Sequence, residues 1–211
     1  MSNPSQSHLF WGSASPLAAL SGCGLLIMAS VRFSYAVIVS VSLLWVCCLS
    51  VVVFRAAVRI FPRRGVVVCQ TFLASLMTGI FLLLMWILCP VITLEVFFIV
   101  SLVPVFCVSS GIFQRVDSFD PFDALYRAWG ESAVLCGLIL AFALIREPLG
   151  LLSLSLPGGA RGIVFLFSAQ SESLFPIRII AASSGALILL GYGVGLYRHY
   201  RKIYAPKETD L

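Results

Sequence analysis

Of the 211 residues, 60% are hydrophobic and only 11% are Asp, Glu, Lys or Arg, against about 25% charged in an ordinary soluble domain. Five windows hold no Asp, Glu, Lys, Arg or His at all: Leu9–Val31, Phe33–Phe54, Gly65–Leu94, Val96–Gln114 and Ile179–Tyr197. A bilayer core takes about 20 apolar residues per helix, so a soluble fold is excluded and residues 1–211 read as a single all-α integral membrane domain.

The formal net charge is +5, but the basic residues are scattered singly at segment ends. That is where membrane topology signals sit, so the expected partner is the lipid bilayer, with no nucleic acid. There is no GxGxxG, GxxxxGK[ST] or HExxH, so dinucleotide, phosphate-loop and zinc-protease chemistry lack their motifs. No Lys or Arg precedes Arg32. A secretory signal needs a positive leading region, so the first apolar segment is expected to be retained.

Segment one spans about Leu9 to Met28 and is interrupted by Gly12, Pro16, Gly22 and Gly24. Segment two covers about Tyr35 to Phe54. Segment three covers about Gly65 to Cys89 and stops at Pro90. Segment four covers about Val91 to Phe113, with Glu95 near one end and Pro104 inside. Segment five covers about Asp123 to Ile145, with Arg127 and Glu131 spaced i,i+4 on one face. Segment six covers about Ile177 to Tyr197. The connection from Glu147 to Ile177 alternates Leu and Ser and then runs Ile163–Phe167. It is expected to lie along the membrane interface rather than to form a seventh span.

Six spans place the N-terminus, the 54–65 and 114–127 loops and the C-terminus on one side. That side carries ten basic residues: Arg55, Arg59, Arg63, Arg64, Arg115, Arg127, Arg198, Arg201, Lys202 and Lys207. The other side carries four: Arg32, Arg146, Arg161 and Arg178. The positive-inside rule then puts both termini in the cytoplasm, with residues 198–211 as a basic cytoplasmic tail. Six spans divide into halves of three, residues 9–89 and 91–197. Since three is odd, a duplicated half is inverted in the membrane. Segments one and four, both broken by Pro and small residues, occupy matching places in the two halves.

Intramembrane charge usually marks a transport site. Here it is sparse, and Glu95, the Arg127–Glu131 pair and the Arg146-Glu147 dipeptide read as anchors at segment ends. His8 and His199 lie in the tails, and no Ser/His/Asp set can be assembled. Seven cysteines, at 23, 47, 48, 69, 89, 107 and 136, lie in or beside apolar segments. An odd number with no loop pair argues against a disulfide framework and reads as buried small hydrophobes.

Several stretches taken in order resemble one family. They are Gly12 to Pro16-Leu17-Ala18, Arg59-Ile60-Phe61-Pro62 with Gln70 and Ser75 following, and Gln114-Arg115-Val116-Asp117-Ser118-Phe119. They continue with Leu144-Ile145-Arg146-Glu147-Pro148-Leu149-Gly150 and the last helix from Gly185 to Tyr197. The chain resembles the E-type membrane component of the Rnf electron-transport complex and its D-type counterpart in the sodium-pumping NADH:quinone reductase. The resemblance implies six helices in two inverted halves and a place in a bacterial inner-membrane complex that couples electron transfer to sodium or proton movement. It implies as partners a homologous six-helix membrane subunit and the other subunits of the redox complex.

It also implies a two-iron, two-sulfur cluster shared with that partner, each of the two chains giving cysteines from its first and fourth helices. Here the chain departs from the family. Ala14 or Ser15 stands at the first cysteine position and Ser110 at the second. The expectation is that the cluster is absent, or that it recruits Cys107, one helical turn before Ser110, together with Cys23. Arg115 and Asp117, matching the family's Arg-x-Glu, are expected to form a docking clamp after segment four, and Arg146 and Glu147 to be structural or docking residues. No catalysis is expected of the chain alone. Two other classes are open: a scaffold subunit that lost the cluster, and a stand-alone inverted-repeat carrier, which would need polar groups converging at the midplane.

Overall fold

A computed structural model describes residues 23–57, 66–109, 121–158, 162–168, 180 and 182–204. In chain order these form α1 (Cys23–Ala29), α2 (Phe33–Ala57), α3 (Val66–Leu88), α4 (Pro90–Ser101) and α5 (Val103–Ser109). There follow α6 (Pro121–Leu151), β1 (Ser153–Pro157), β2 (Ile163–Ser168) and α7 (Ser183–Tyr204). Among these, four helical stretches are long and apolar enough to cross a bilayer: Phe33–Ala56, Val67–Leu88, Pro90–Ser109 and Phe122–Leu151.

The six expected spans are therefore met in part. Most of the Leu9–Met28 segment lies outside the described residues, and α1 contributes only its end. Residues 177–179, where the last segment is expected to begin, lie outside the described residues; the described helix runs Ser183–Tyr204, and its apolar part, Ser183–Leu196, is by itself shorter than a bilayer span. It continues to Tyr204 because Arg198, Arg201 and Lys202 suit a helix and do not end one.

α2 is the centre of the bundle. It packs most extensively against α6, then against α3, β1, α5 and α4. Its inward face carries Ala36, Val39, Leu43, Val46, Cys47, Ser50, Val51 and Phe54, at the i, i+3, i+4, i+7 spacing of one helical face. The buried side of α6 is largely small, Ala124, Ala128, Ser132, Cys136 and Ala143, with Leu135 and Ile139 between them. Small residues let two helix backbones approach closely where no water drives them together.

α3 is held less. It buries Gln70, Leu73, Ala74, Thr78 and Phe81, with Phe81 6.3 Å from Trp45 ring to ring. Its other face leaves Val68, Phe72, Leu76, Leu83 and Ile87 exposed, as befits a surface solvated by lipid. Several buried hydroxyls are satisfied within their own helices, as suits a bilayer interior. Ser132 Oγ donates to the Ala128 carbonyl at 2.6 Å, Ser42 to Val39 at 2.8 Å and Thr78 to Ala74 at 2.9 Å.

The fourth expected segment is interrupted, and the break has a cause. Pro104 has no N–H to offer the turn before it. The helix tightens, with Leu102 N–H bonding to the Ile99 carbonyl at 3.2 Å, and restarts as α5. α6, by contrast, outruns the expected Asp123–Ile145. Its 31 residues make it about 46 Å long at ~1.5 Å per residue. Its first turns expose Phe122, Tyr126 and Trp129 on one face, an aromatic anchor of the kind that sits at headgroup depth.

The 147–177 connection corrects one expectation, that the fold is purely helical. α6 continues through Pro148 to Leu151. Leu152 then turns the chain in the left-handed region (φ 52°), and an antiparallel hairpin follows. The Leu-Ser alternation at 152–156 is the period of a strand. It buries Ser153 and Ser155 against the bundle. β2 supplies the apolar run and leaves Val164, Phe165 and Leu166 exposed. At the tip, Gly158 N–H bonds to the Gly162 carbonyl at 2.8 Å.

Candidate functional site

Two polar features stand out from this apolar interior. The first lies at the hairpin end of the bundle, where α2 begins, α6 ends and the chain enters α7. Arg146 and Glu147 are each only 1% exposed. They are neighbours in the last turns of α6, yet act on different partners. Arg146 Nη1 donates to the Ile27 carbonyl at 2.7 Å and to Ser30 Oγ at 2.9 Å. Its Nε donates to the Ile180 carbonyl at 3.0 Å and its Nη2 to the Ala182 carbonyl at 3.2 Å. The guanidinium fork thus caps the C-terminal end of α1 and ties down the chain that leads into α7.

Glu147 Oε2 accepts the Phe33 N–H, the first of α2, at 2.7 Å. A cation at a helix C-terminus and an anion at a helix N-terminus both match the helix dipole. Ser155 adds a second cap from β1. Its Oγ accepts the Ser34 N–H at 3.3 Å and donates to Ser34 Oγ at 3.2 Å. Glu147 Oε1 is buried and makes no hydrogen bond. Beside this clamp, the Arg32 guanidinium stands 5.8 Å over the Tyr35 ring and 6.0 Å over that of Phe165. The Tyr35 hydroxyl donates to the exposed Glu95 at 2.8 Å. Charge at this end therefore joins helix ends and does not converge into a cavity.

The second feature is deeper. Cys47 of α2 and Cys107 of α5 bring their sulfurs to 2.8 Å, with both residues buried. Cys136 of α6 donates its thiol to the Ser40 carbonyl at 3.3 Å. Cys48, Cys69 and Cys89 are half-buried. Among the described residues, no three of His, Cys, Asp and Glu are grouped as a metal site.

These positions bear on the expected ligands. Cys107 lies in the chain's own core, against Cys47. An iron–sulfur cluster shared between two subunits needs thiolates that face the partner, so the arrangement at Cys107 does not fit one. Cys23 opens α1, and its side chain lies outside the described residues, as do Ala14, Ser15, Ser110, Arg115 and Asp117. Arg146 and Glu147 are placed and bonded as above. The pairing of Cys47 with Cys107 escapes sequence reasoning, since both look like ordinary buried cysteines. The signal that could have raised it is the break at Pro104 three residues before Cys107. The capping role of Ser155 was hidden in the alternation of the 152–156 stretch.

Neither the models of known protein families nor the characterised proteins compared with this chain give a match.

Proposed function

We propose that this chain is a multi-pass subunit of an ion-translocating oxidoreductase complex of the bacterial inner membrane, and that it serves there as a packed scaffold without an iron–sulfur cluster of its own. The observation that carries the scaffold reading is the use made of its buried charges. Arg146 and Glu147 are spent on helix ends, while the other buried polar side chains of the described helices, among them Ser40, Ser42, Ser50, Gln70, Thr78 and Ser132, are uncharged and lie among Val, Leu, Ile, Ala and thiols. The redox setting rests on the sequence resemblance. In that setting the chain has six spans in two inverted halves, residues 9–89 and 91–197, with both termini cytoplasmic. It pairs with a homologous six-helix subunit, and the Arg115–Asp117 stretch forms part of the docking surface.

The described ends of the helices fit that orientation. Arg55, in the last turn of α2, and Arg127, in the first turns of α6, lie at the end away from the hairpin, where the positive-inside rule wants them. A stand-alone carrier is the weaker reading, because it needs polar side chains meeting at mid-depth. Extraction in mild detergent, with identification of co-purifying subunits and assay of iron, tests the proposal. Co-purification with a homologous membrane subunit supports it. A chain that purifies alone and moves ions in vesicles overturns it.

A further inference from the structure

We propose that Cys47 and Cys107 form a modification site, a dithiol that peroxide-class oxidants convert into a disulfide stapling α2 to α5. The proposal stands apart from the reading of the complex and needs no partner subunit. Its basis is geometric. The sulfurs belong to different helices, 60 residues apart in sequence, and sit 2.8 Å from each other. A disulfide bond is about 2.05 Å long, so closure requires the sulfurs to approach by less than an ångström. Both residues are enclosed, at 1% and 0% exposure, and their neighbours are apolar.

That enclosure selects the product. A monovalent soft ion held by two thiolates would leave a net negative charge in the core, which is costly there, and a divalent one commonly takes further ligands, which are not grouped here among the described residues, whereas a disulfide is neutral. The step balances with peroxide alone. One sulfur attacks a peroxide oxygen, the O–O bond breaks, and a sulfenic acid forms with release of water. The second thiol then attacks the sulfenic sulfur. An S–S bond forms, the S–O bond breaks and a second water leaves. Two thiols and one peroxide give one disulfide and two waters, with the sulfurs oxidised and the peroxide oxygens reduced.

Peroxide is small and uncharged, so it can enter where larger oxidants cannot. Its first attack is slow because the sulfurs are enclosed. The second step is intramolecular at contact distance and outruns further oxidation to sulfinic acid. The resulting link fixes the bend between α4 and α5 against the central helix.

The test uses the full chain in lipid vesicles, treated with hydrogen peroxide, then denatured and alkylated with a mass-tagged maleimide. Alkylatable thiols should fall from the seven of the sequence to five, with one cross-linked peptide joining Cys47 and Cys107. Cys47→Ala and Cys107→Ala should each begin at six and stay at six. Should either fail to fold, Cys136→Ala keeps the pair intact and should fall from six to four. The proposal is overturned if seven thiols persist, if the lost thiols map elsewhere, or if sulfinic acid forms at Cys47 or Cys107 in place of the cross-link.

Discussion

Replacing Arg146 with alanine should be among the most damaging single changes at the hairpin end. Among the described residues its guanidinium bonds to the Ile27, Ile180 and Ala182 carbonyls and to Ser30 Oγ, between 2.7 and 3.2 Å. A hydrogen bond to a charged group contributes about 1.5–3 kcal/mol, but several on one side chain act as a unit and do not add. Truncating the side chain leaves buried acceptors unpaired, at roughly 1–3 kcal/mol each before relaxation. The expected loss is therefore about 4 kcal/mol, close to a thousandfold in the folded-to-unfolded ratio at ~1.4 kcal/mol per factor of ten. Arg146→Lys keeps the charge but loses the fork, and should lose about half as much. The assay is thermal unfolding in detergent, read by the rate at which the buried thiols of Cys47, Cys107 and Cys136 become alkylatable. If Arg146→Ala releases those thiols at the wild-type temperature, the clamp does not hold the helix ends together.

Glu147→Gln retains an acceptor for the Phe33 N–H and should cost only about 1 kcal/mol, whereas Glu147→Leu should cost more; melting temperatures of the two variants decide this. Gly158→Val should open the hairpin tip, because even a Cβ at Gly158 would collide with the Val164 side chain and the Gly162 carbonyl; faster amide exchange across residues 163–168 is the readout. Tyr35→Phe removes only a bond to an exposed carboxylate and should change stability by less than about 1 kcal/mol, measured by the same thermal assay. Arg115→Ala should weaken assembly with partner subunits while leaving the melting temperature of the isolated chain unchanged; native gel electrophoresis of membrane extracts checks it.

Much of the helical layout is legible in the sequence, because the bilayer imposes a simple rule on it. α2 and α3 fall within three residues of the expected segments at each end, and Pro90 and Pro104 mark the turn and the break. What escaped was decided by tertiary contact. The length of α6 depends on Arg146 and Glu147 finding partners on α1 and α2, more than a hundred residues away. Ser153 and Ser155 look like interface polarity until β2 pairs with them and the start of α2 covers them. The meeting of Cys47 and Cys107 depends on how α5 packs on α2, and no spacing along one helix encodes it. The candidate ligand positions Ala14, Ser15 and Ser110 and the docking pair Arg115 and Asp117 lie outside the described residues, so their roles still rest on the resemblance.

Affinity purification of the chain at native abundance, with the subunits identified and the iron assigned to its ligands, tests the central claim most directly. The account predicts recovery of a multi-subunit membrane complex containing a homologous six-helix partner, with no iron ligated by any cysteine of this chain. A chain recovered alone that transports ions in vesicles, or a complex whose intramembrane iron is bound by Cys107 or Cys23, would contradict it.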